Sequence, residues 1–380
     1  MKKLIQHILK SVPTRVVSWQ MLFAVVNLIS LIGCNEKMPT TFDGNAQIAL
    51  MAIWDTSTVE NVTKYIPLKN AKVILSSEYG ISVRKTDENG KLFVSGLPSS
   101  KYSISVRLPH PLDESIMLVG NVRDKEITTG NVFADTIIAK PISSSGMSIN
   151  EVYASGPVNS IFYFYDQFIE LYNASDSVKY VDGMLVMRVS GNNEGGKGPG
   201  ADEEDDGDID GVTYAFKFPG NPGEHNYPFY PKTFLVLAQD AVNHKNTVSN
   251  SIDLSNASWE FYNQYSANDL DNPNVPNLIN VRADKTVDFM INLSSDIIVV
   301  SSGVDSNWVD GIDISTIIDG VEYQSSITVS KTLDNRVERG FVVSPPKYGG
   351  QSMQRREAGS DANDATLDWE IIPKPTPGYQ

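Results

Sequence analysis

The chain has one cysteine, Cys34, in 380 residues. No disulfide can form within it, and no spare thiol is left for catalysis. Histidine is scarce as well: His7, His110, His225 and His244. None has a second ligand at zinc-type spacing beyond the Glu224-His225 neighbours, and neither H-E-x-x-H nor G-x-S-x-G occurs. A hydrolase would need a site assembled from distant loops. Helical periodicity is missing from residues 45 to 140, and no repeat of about 20 to 50 residues recurs. Basic residues are few, with 31 Lys and Arg against 46 Asp and Glu. Four of those 31 lie in the first 15 residues, which leaves 27 against 46, a net charge of −19 for the rest. Such a surface repels phosphate backbones, so nucleic acid is excluded as a partner.

What is present begins with MKKLIQHILKSVPTRVVSWQ, which carries Lys2, Lys3, Lys10 and Arg15 and no acid. MLFAVVNLISLIG follows, ending at Gly33. A basic stretch, a short apolar stretch and a small residue before a cut read as a secretory signal peptide over 1–33. The apolar stretch falls short of the roughly 20 residues a spanning helix needs. Leu31-Ile32-Gly33-Cys34 resembles a bacterial lipobox, which implies lipidation of Cys34 and cleavage just before it. One thioether-linked anchor accounts for one cysteine. Residues 34–45 then form a polar, lipid-anchored tether, in which Glu36 resembles the acidic export signal of Bacteroidota surface lipoproteins. The expected location is the outer membrane, lipid-anchored, with the periplasmic and the surface leaflet both open.

Beyond the tether the pattern is short, half-buried strands. QIALMAIW (47–54), AKVILSS (71–77), KLFVSGL (91–97) and YSISVRL (102–108) are partly alternating, and Asp87-Glu88-Asn89-Gly90 signals a tight turn between two of them. In this order they resemble a carboxypeptidase-regulatory-like domain over 46–140, which implies a transthyretin-like β-sandwich without catalysis. PISSSGM (141–147) reads as a linker. SINEVYASG, FIELYN and the terminal QSMQRREAGSDANDATLDWEIIPKPTPG resemble a lamin-tail-type, immunoglobulin-like sandwich over 148–380 with a large insertion. YFYDQFIELYN, DLSNASWEF and LDNPNVPNL resemble, more closely, a family of unknown-function domains of Bacteroidota lipoproteins. FLVLA (234–238) and DIIVVSS (296–302) are continuous apolar runs, as buried strands are. SNASWEFYNQYS (255–266) is the one expected helix, capped by Ser255. The fold class expected is all-β, with two β-sandwich domains.

Three motifs bear on chemistry. In ADEEDDGDIDG (201–211), Asp206, Asp208 and Asp210 occupy the first half of an EF-hand-type loop, with Gly211 at the turn. Lys217 stands where the bidentate glutamate belongs, so a full EF-hand is excluded. Weak calcium binding and a solvated acidic loop both remain open, and no other cofactor is expected. GNNEGGKG (191–198) imitates a phosphate-binding loop, but Gly198 and Pro199 replace the hydroxyl residue and the helix start. In IFYFY (161–165) a strand would place Phe162 and Phe164 on one face and Tyr163 and Tyr165 on the other. Two exposed tyrosines would offer a ligand-binding surface; two packed faces would make the segment part of the core. Asp269-Leu270-Asp271-Asn272-Pro273 and Asp361-Ala362-Asn363-Asp364 read as turns built on Asx side chains rather than metal sites. The functional expectation is a non-catalytic envelope lipoprotein that binds another envelope protein, as an accessory to a TonB-type nutrient receptor. A surface glycan-binding lipoprotein and a hydrolase without a readable motif are the alternatives.

Overall fold

Alternation decides the first body. In β1 (Ala46–Asp55) Ala46, Ile48, Leu50 and Ala52 are buried while Gln47, Ala49 and Met51 are partly exposed. This period of two is what one packed face of a sheet requires. The computed structural model describes residues 44–56, 65–189, 202 and 206–380. Cys34, the leader and most of the tether lie outside the described residues, as does GNNEGGKG.

After β1 come β2 (Tyr65–Pro67), β3 (Lys72–Ser77), β4 (Gly80–Lys85) and β5 (Lys91–Leu97). Then follow β6 (Ser100–His110), β7 (Asp113–Ile127) and β8 (Val132–Ser143). The turn before β5 is built as its residues imply. Asp87 accepts from the amides of Asn89 and Lys91, each at 2.8 Å, and Gly90 takes φ +71°. The strands run β2-β1-β8-β7-β6-β3-β4, with β5 also on β1. Strand β8 has two partners in succession. Val132 to Ala139 pair parallel with β1, and Lys140 to Ser143 pair antiparallel with β7. Gly120 permits the crossing, because a Cβ there would lie 2.6 Å from Cγ2 of Ile137. The core closes between the layers, with Ile48 and Leu50 of β1 against Val73, Leu75, Ile104 and Leu118.

The sequence 141–147, expected as a linker, holds the end of β8, a turn and the start of β9 (Met147–Tyr153). Side chains tie the bodies together around it. Asp176 receives Arg107 at 2.9 Å, Arg123 at 3.2 Å and Lys232 at 3.5 Å. The amide of Asp361 donates to the carbonyl of Pro141 at 2.9 Å.

The second body continues with β10 (Phe168–Asn173), β11 (Lys179–Tyr180), β12 (Leu185–Val189) and β13 (Asp208–Ile209). Next are β14 (Val212–Lys217), β15 (Pro228–Phe229), β16 (Phe234–Ala238) and β17 (Trp259–Glu260). β18 (Ile279–Asn280), β19 (Asp296–Ser301), β20 (Ile312–Asp313) and β21 (Ile317–Gln324) follow. The chain closes with β22 (Val342–Val343), β23 (Ser352–Arg355), a short helix α1 (Ala365–Asp368) and β24 (Trp369–Ile372). Two six-stranded sheets result, β17-β16-β10-β9-β23-β24 and β18-β14-β12-β19-β21-β22. Ile149, Ile169, Leu237 and Met353 of the first face Val186, Phe216, Ile298 and Tyr323 of the second. The outer face of the second sheet is also covered: Leu185, Met187, Ile297 and Val299 lie under Ile312, Leu333 and Val337. Coverage on both faces is why DIIVVS reads as an unbroken apolar run. The all-β expectation, with several sheets, therefore holds.

Two local expectations fail. Residues 255–266 form no helix: Trp259 and Glu260 pair parallel with Leu237 and Ala238, and Ser255 is held by the Asp253 carboxylate instead of capping. Residues 161–165 form a loop, not a strand, for reasons given below.

Two buried glutamates bind the C-terminus to the fold. Glu151 and Glu170 face each other across β9 and β10. Glu151 accepts from the amide and hydroxyl of Thr376 and from Gln354, and Glu170 from Gly378 at 2.5 Å. The INEV, FIELYN and PTPG segments thus meet through buried carboxyl groups that receive backbone donors.

Candidate functional site

The residues singled out by the sequence lie in two places on the second body. The first is the loop between β9 and β10. Asn159 organises it: its oxygen accepts from the amides of Ile161 (3.0 Å) and Tyr163 (2.8 Å), and its amide donates to the carbonyls of Pro157 and Tyr163. These bonds satisfy the backbone locally and replace a strand ladder. Phe162 then takes φ +58°, a left-handed conformation that turns its ring outward. Phe162 is 71% exposed, Ile161 63% and Val158 56%. The ring of Phe162 meets Tyr348 edge-on at 5.5 Å, and the Tyr348 amide is bound to the carbonyl of Ser155.

The two tyrosines differ. Tyr163 is half-buried, and its hydroxyl lies 2.6 Å from Nδ1 of His244. Nε2 of that buried ring lies 2.9 Å from the carbonyl of Asp240. A carbonyl only accepts, so Nε2 carries the proton and Nδ1 accepts from the tyrosine. Burial lowers the His244 pKa and raises that of Tyr163 to about 12, so both stay neutral at ordinary pH. Tyr165 is exposed and stacks on Phe164 at 5.1 Å. Below the loop, Asp166 is buried and accepts from Ser251 at 2.5 Å, and burial raises its carboxyl to about 6. Both His244 nitrogens and the Ser251 hydroxyl are engaged inside the protein. They brace the loop. Their sequence separations, 81 residues for Tyr163–His244 and 85 for Asp166–Ser251, left no local signal to read.

The second place is the acidic loop. Carboxylate oxygens of Asp202, Asp206 and Asp208 lie within 4.8 Å of one another, so Asp202 joins the group in the place expected for Asp210. The reason is local. Asp208 and Ile209 pair with Asp313 and Ile312, and Ile209 is fully buried in the core. Asp202 accepts from the amides of Asp206 and Gly207, each at 2.9 Å, and from Arg336 at 2.6 Å. Oδ1 of Asp208 is buried with no hydrogen-bond partner. Burial, followed by the charges of Asp206 and Asp210, raises the Asp208 carboxyl to about 6. Lys217 lies in β14 opposite Leu185, so the chain does not follow an EF-hand course. The donor set is all oxygen and suits a hard cation, while Arg336 already supplies one positive charge.

A family model described as a protein of unknown function (DUF4876) matches residues 231–308. The DLSNASWEF and LDNPNVPNL segments fall inside that stretch, as do Asp240, His244 and Ser251. Among solved structures, the chain is similar to the 2.50 Å crystal structure of a DUF4876 family protein from Bacteroides thetaiotaomicron VPI-5482. The TM-score is 0.57 at 20% identity, over 85% of this chain and 94% of that one. At that identity the likeness is one of fold. No curated protein matches the chain.

Proposed function

We propose that the chain is a non-catalytic cell-envelope lipoprotein, held to the outer membrane through Cys34, that binds another envelope protein through the loops at one end of its second body. The observation that carries this reading is the tip at 158–165. Val158, Ile161 and Phe162 are exposed on a backbone braced by Asn159, Tyr163–His244 and Asp166–Ser251. Apolar side chains held in solvent on a pre-organised loop are suited to be interface anchors. The regulatory-like and lamin-tail resemblances point the same way, to accessory modules, and a TonB-type receptor is the first partner to test.

The other readings draw less support. For a hydrolase, a cleft of about 510 Å³ lies on the first body and one of about 470 Å³ lies between that body and Asp176 of the second, and neither is lined by histidine. For glycan binding, Tyr165 is exposed but its ring already stacks on Phe164, and the Tyr163 hydroxyl is taken by His244. Calcium at the acidic loop would be an accessory feature that fastens Asp202, Asp206 and Asp208.

A photo-crosslinking side chain at position 162, used in native membranes, tests the proposal. One envelope protein should be captured, and an Ile161→Ser, Phe162→Asp competitor in excess should fail to suppress capture while the wild-type competitor succeeds. No capture, together with oligosaccharide binding lost in Tyr165→Ala, would move the assignment to glycans.

A further inference from the structure

A different part of the second body holds four buried acids around one arginine. Arg355 of β23 is fully buried. It pairs with Asp319 at 2.8 Å, Asp368 at 3.4 Å and Asp361 at 3.6 Å, and its remaining donors reach the carbonyls of Ile149 and Ser360. Glu338 is also fully buried but does not pair with Arg355. Its Oε1 accepts from the amides of Arg339 and Ala365, each at 2.9 Å, and its Oε2 has no hydrogen-bond partner. One carboxylate oxygen each from Glu338, Asp319 and Asp361 lie within 4.8 Å of one another.

A single guanidinium cannot neutralise four desolvated carboxylates, and removing unpaired charge from water is strongly unfavourable. Three carboxylates brought this close in the core, one of them with an oxygen that has no donor, call for positive charge beyond that of Arg355. Two oxygens bound to one calcium ion lie no further apart than about twice the 2.3–2.6 Å bond length, which covers the observed separation. The donors are all carboxylate oxygens, with no nitrogen or sulfur, so the chemistry is that of a hard cation. We propose that Asp319, Glu338 and Asp361 form a structural calcium site that fastens the 360–364 segment and α1 onto β21, independently of the acidic loop and of the partner-binding reading.

The alternative neutraliser is a proton on Glu338, and the experiment separates the two. The full chain carrying Asp206→Asn and Asp208→Asn removes the loop as a source of binding. It is purified with calcium chloride, freed of loose ions by gel filtration, and examined by elemental analysis and thermal unfolding with and without chelator. The expected result is about one calcium per chain and a midpoint lowered by about 5 °C or more on chelation. Adding Glu338→Gln should remove both the ion and the chelator effect, and Asp361→Asn should do the same should the first variant fold poorly. Absence of calcium from the parent chain, or equal calcium in the parent and both variants, would overturn the proposal. So would a midpoint that ignores calcium and falls only as the pH is raised, which is the outcome for a proton alone.

Discussion

The Tyr163 hydroxyl shows how one side chain sets the role of a loop. Read as an exposed ring, it is a ligand contact; bonded to a neutral, buried His244, it is a brace. Tyr163→Phe leaves an unpaired imidazole nitrogen and should cost about 1–2 kcal/mol in denaturant unfolding. It should also weaken any partner bound at Phe162, because a loosened loop must be ordered on binding. Arg355→Met makes a larger difference. It strips the countercharge from Asp319, Asp361 and Asp368, and the expected loss is about 3–5 kcal/mol by the same measurement. At the acidic loop, Arg336 competes with any cation for Asp202, so calorimetry should find calcium there no tighter than about 10⁻⁴ M. A micromolar site abolished by Asp208→Ala would refute that. That Asp206 and Asp208 would bring carboxylates together was legible from spacing alone. That Asp202 replaces Asp210 was not, since it depends on Ile209 pairing with β20 and pulling Asp208 into line.

At the scale of elements, strands were readable where one face is buried and the other wet, as in β1, or where both faces are covered, as in β19. Aromatic spacing misled in two places. Trp259, Phe261 and Tyr262 fit a helical stripe, yet Trp259 extends the sheet beside β16. Phe162 to Tyr165 fit a strand, yet Asn159 supplies the hydrogen bonds that a neighbouring strand would have given. Tertiary pairing and side-chain turns outweigh periodicity in segments this short. The β9–β10 pair carries a pH dependence. Burial raises the Glu170 carboxyl to about 8, against the easing effect of the Gly378 amide, and the Glu151 charge opposite adds to the rise. The unfolded value is about 4.3, so the native state holds this proton more tightly. Its contribution is full below about pH 4.3 and is lost as the pH rises through about 8. Glu170→Gln keeps the acceptor for Gly378, and a rotated Asn150, whose Oδ1 has no partner, can accept from the new amide. The variant should therefore gain about 3–4 kcal/mol on the wild type between pH 5 and pH 8. Parallel pH curves for the two proteins would show that Glu170 is ionised throughout.

At the scale of the whole molecule, the sequence offers a small-residue stretch at 141–147, and there the chain passes from the first sheet into the next. The attachment between the bodies was not legible, because its residues are scattered: Arg107 and Arg123 from one, Asp176 and Lys232 from the other. Partly exposed pairs contribute little each. Asp176→Ala should leave the unfolding free energy within about 1 kcal/mol of wild type and speed proteolysis at the 144–146 turn. Unchanged cleavage would mean that the remaining contacts, Asp361 with Pro141, Lys140 with Glu357 and Asn363 with Asp113 among them, hold the bodies without Asp176. Strand β8 has a mechanical consequence. It lies parallel to β1 from Gln47↔Val132 to Trp54↔Ala139 and then runs on into the second body. Tension applied between residue 45 and that second body enters β1 at one end of this ladder and leaves β8 at the other. The strands are then loaded in shear, so their hydrogen bonds share the force instead of opening one at a time. Pulled from residue 45 against residue 380, the first body should yield in a single high-force step, whereas pulling across the β6–β7 hairpin should unzip it gradually.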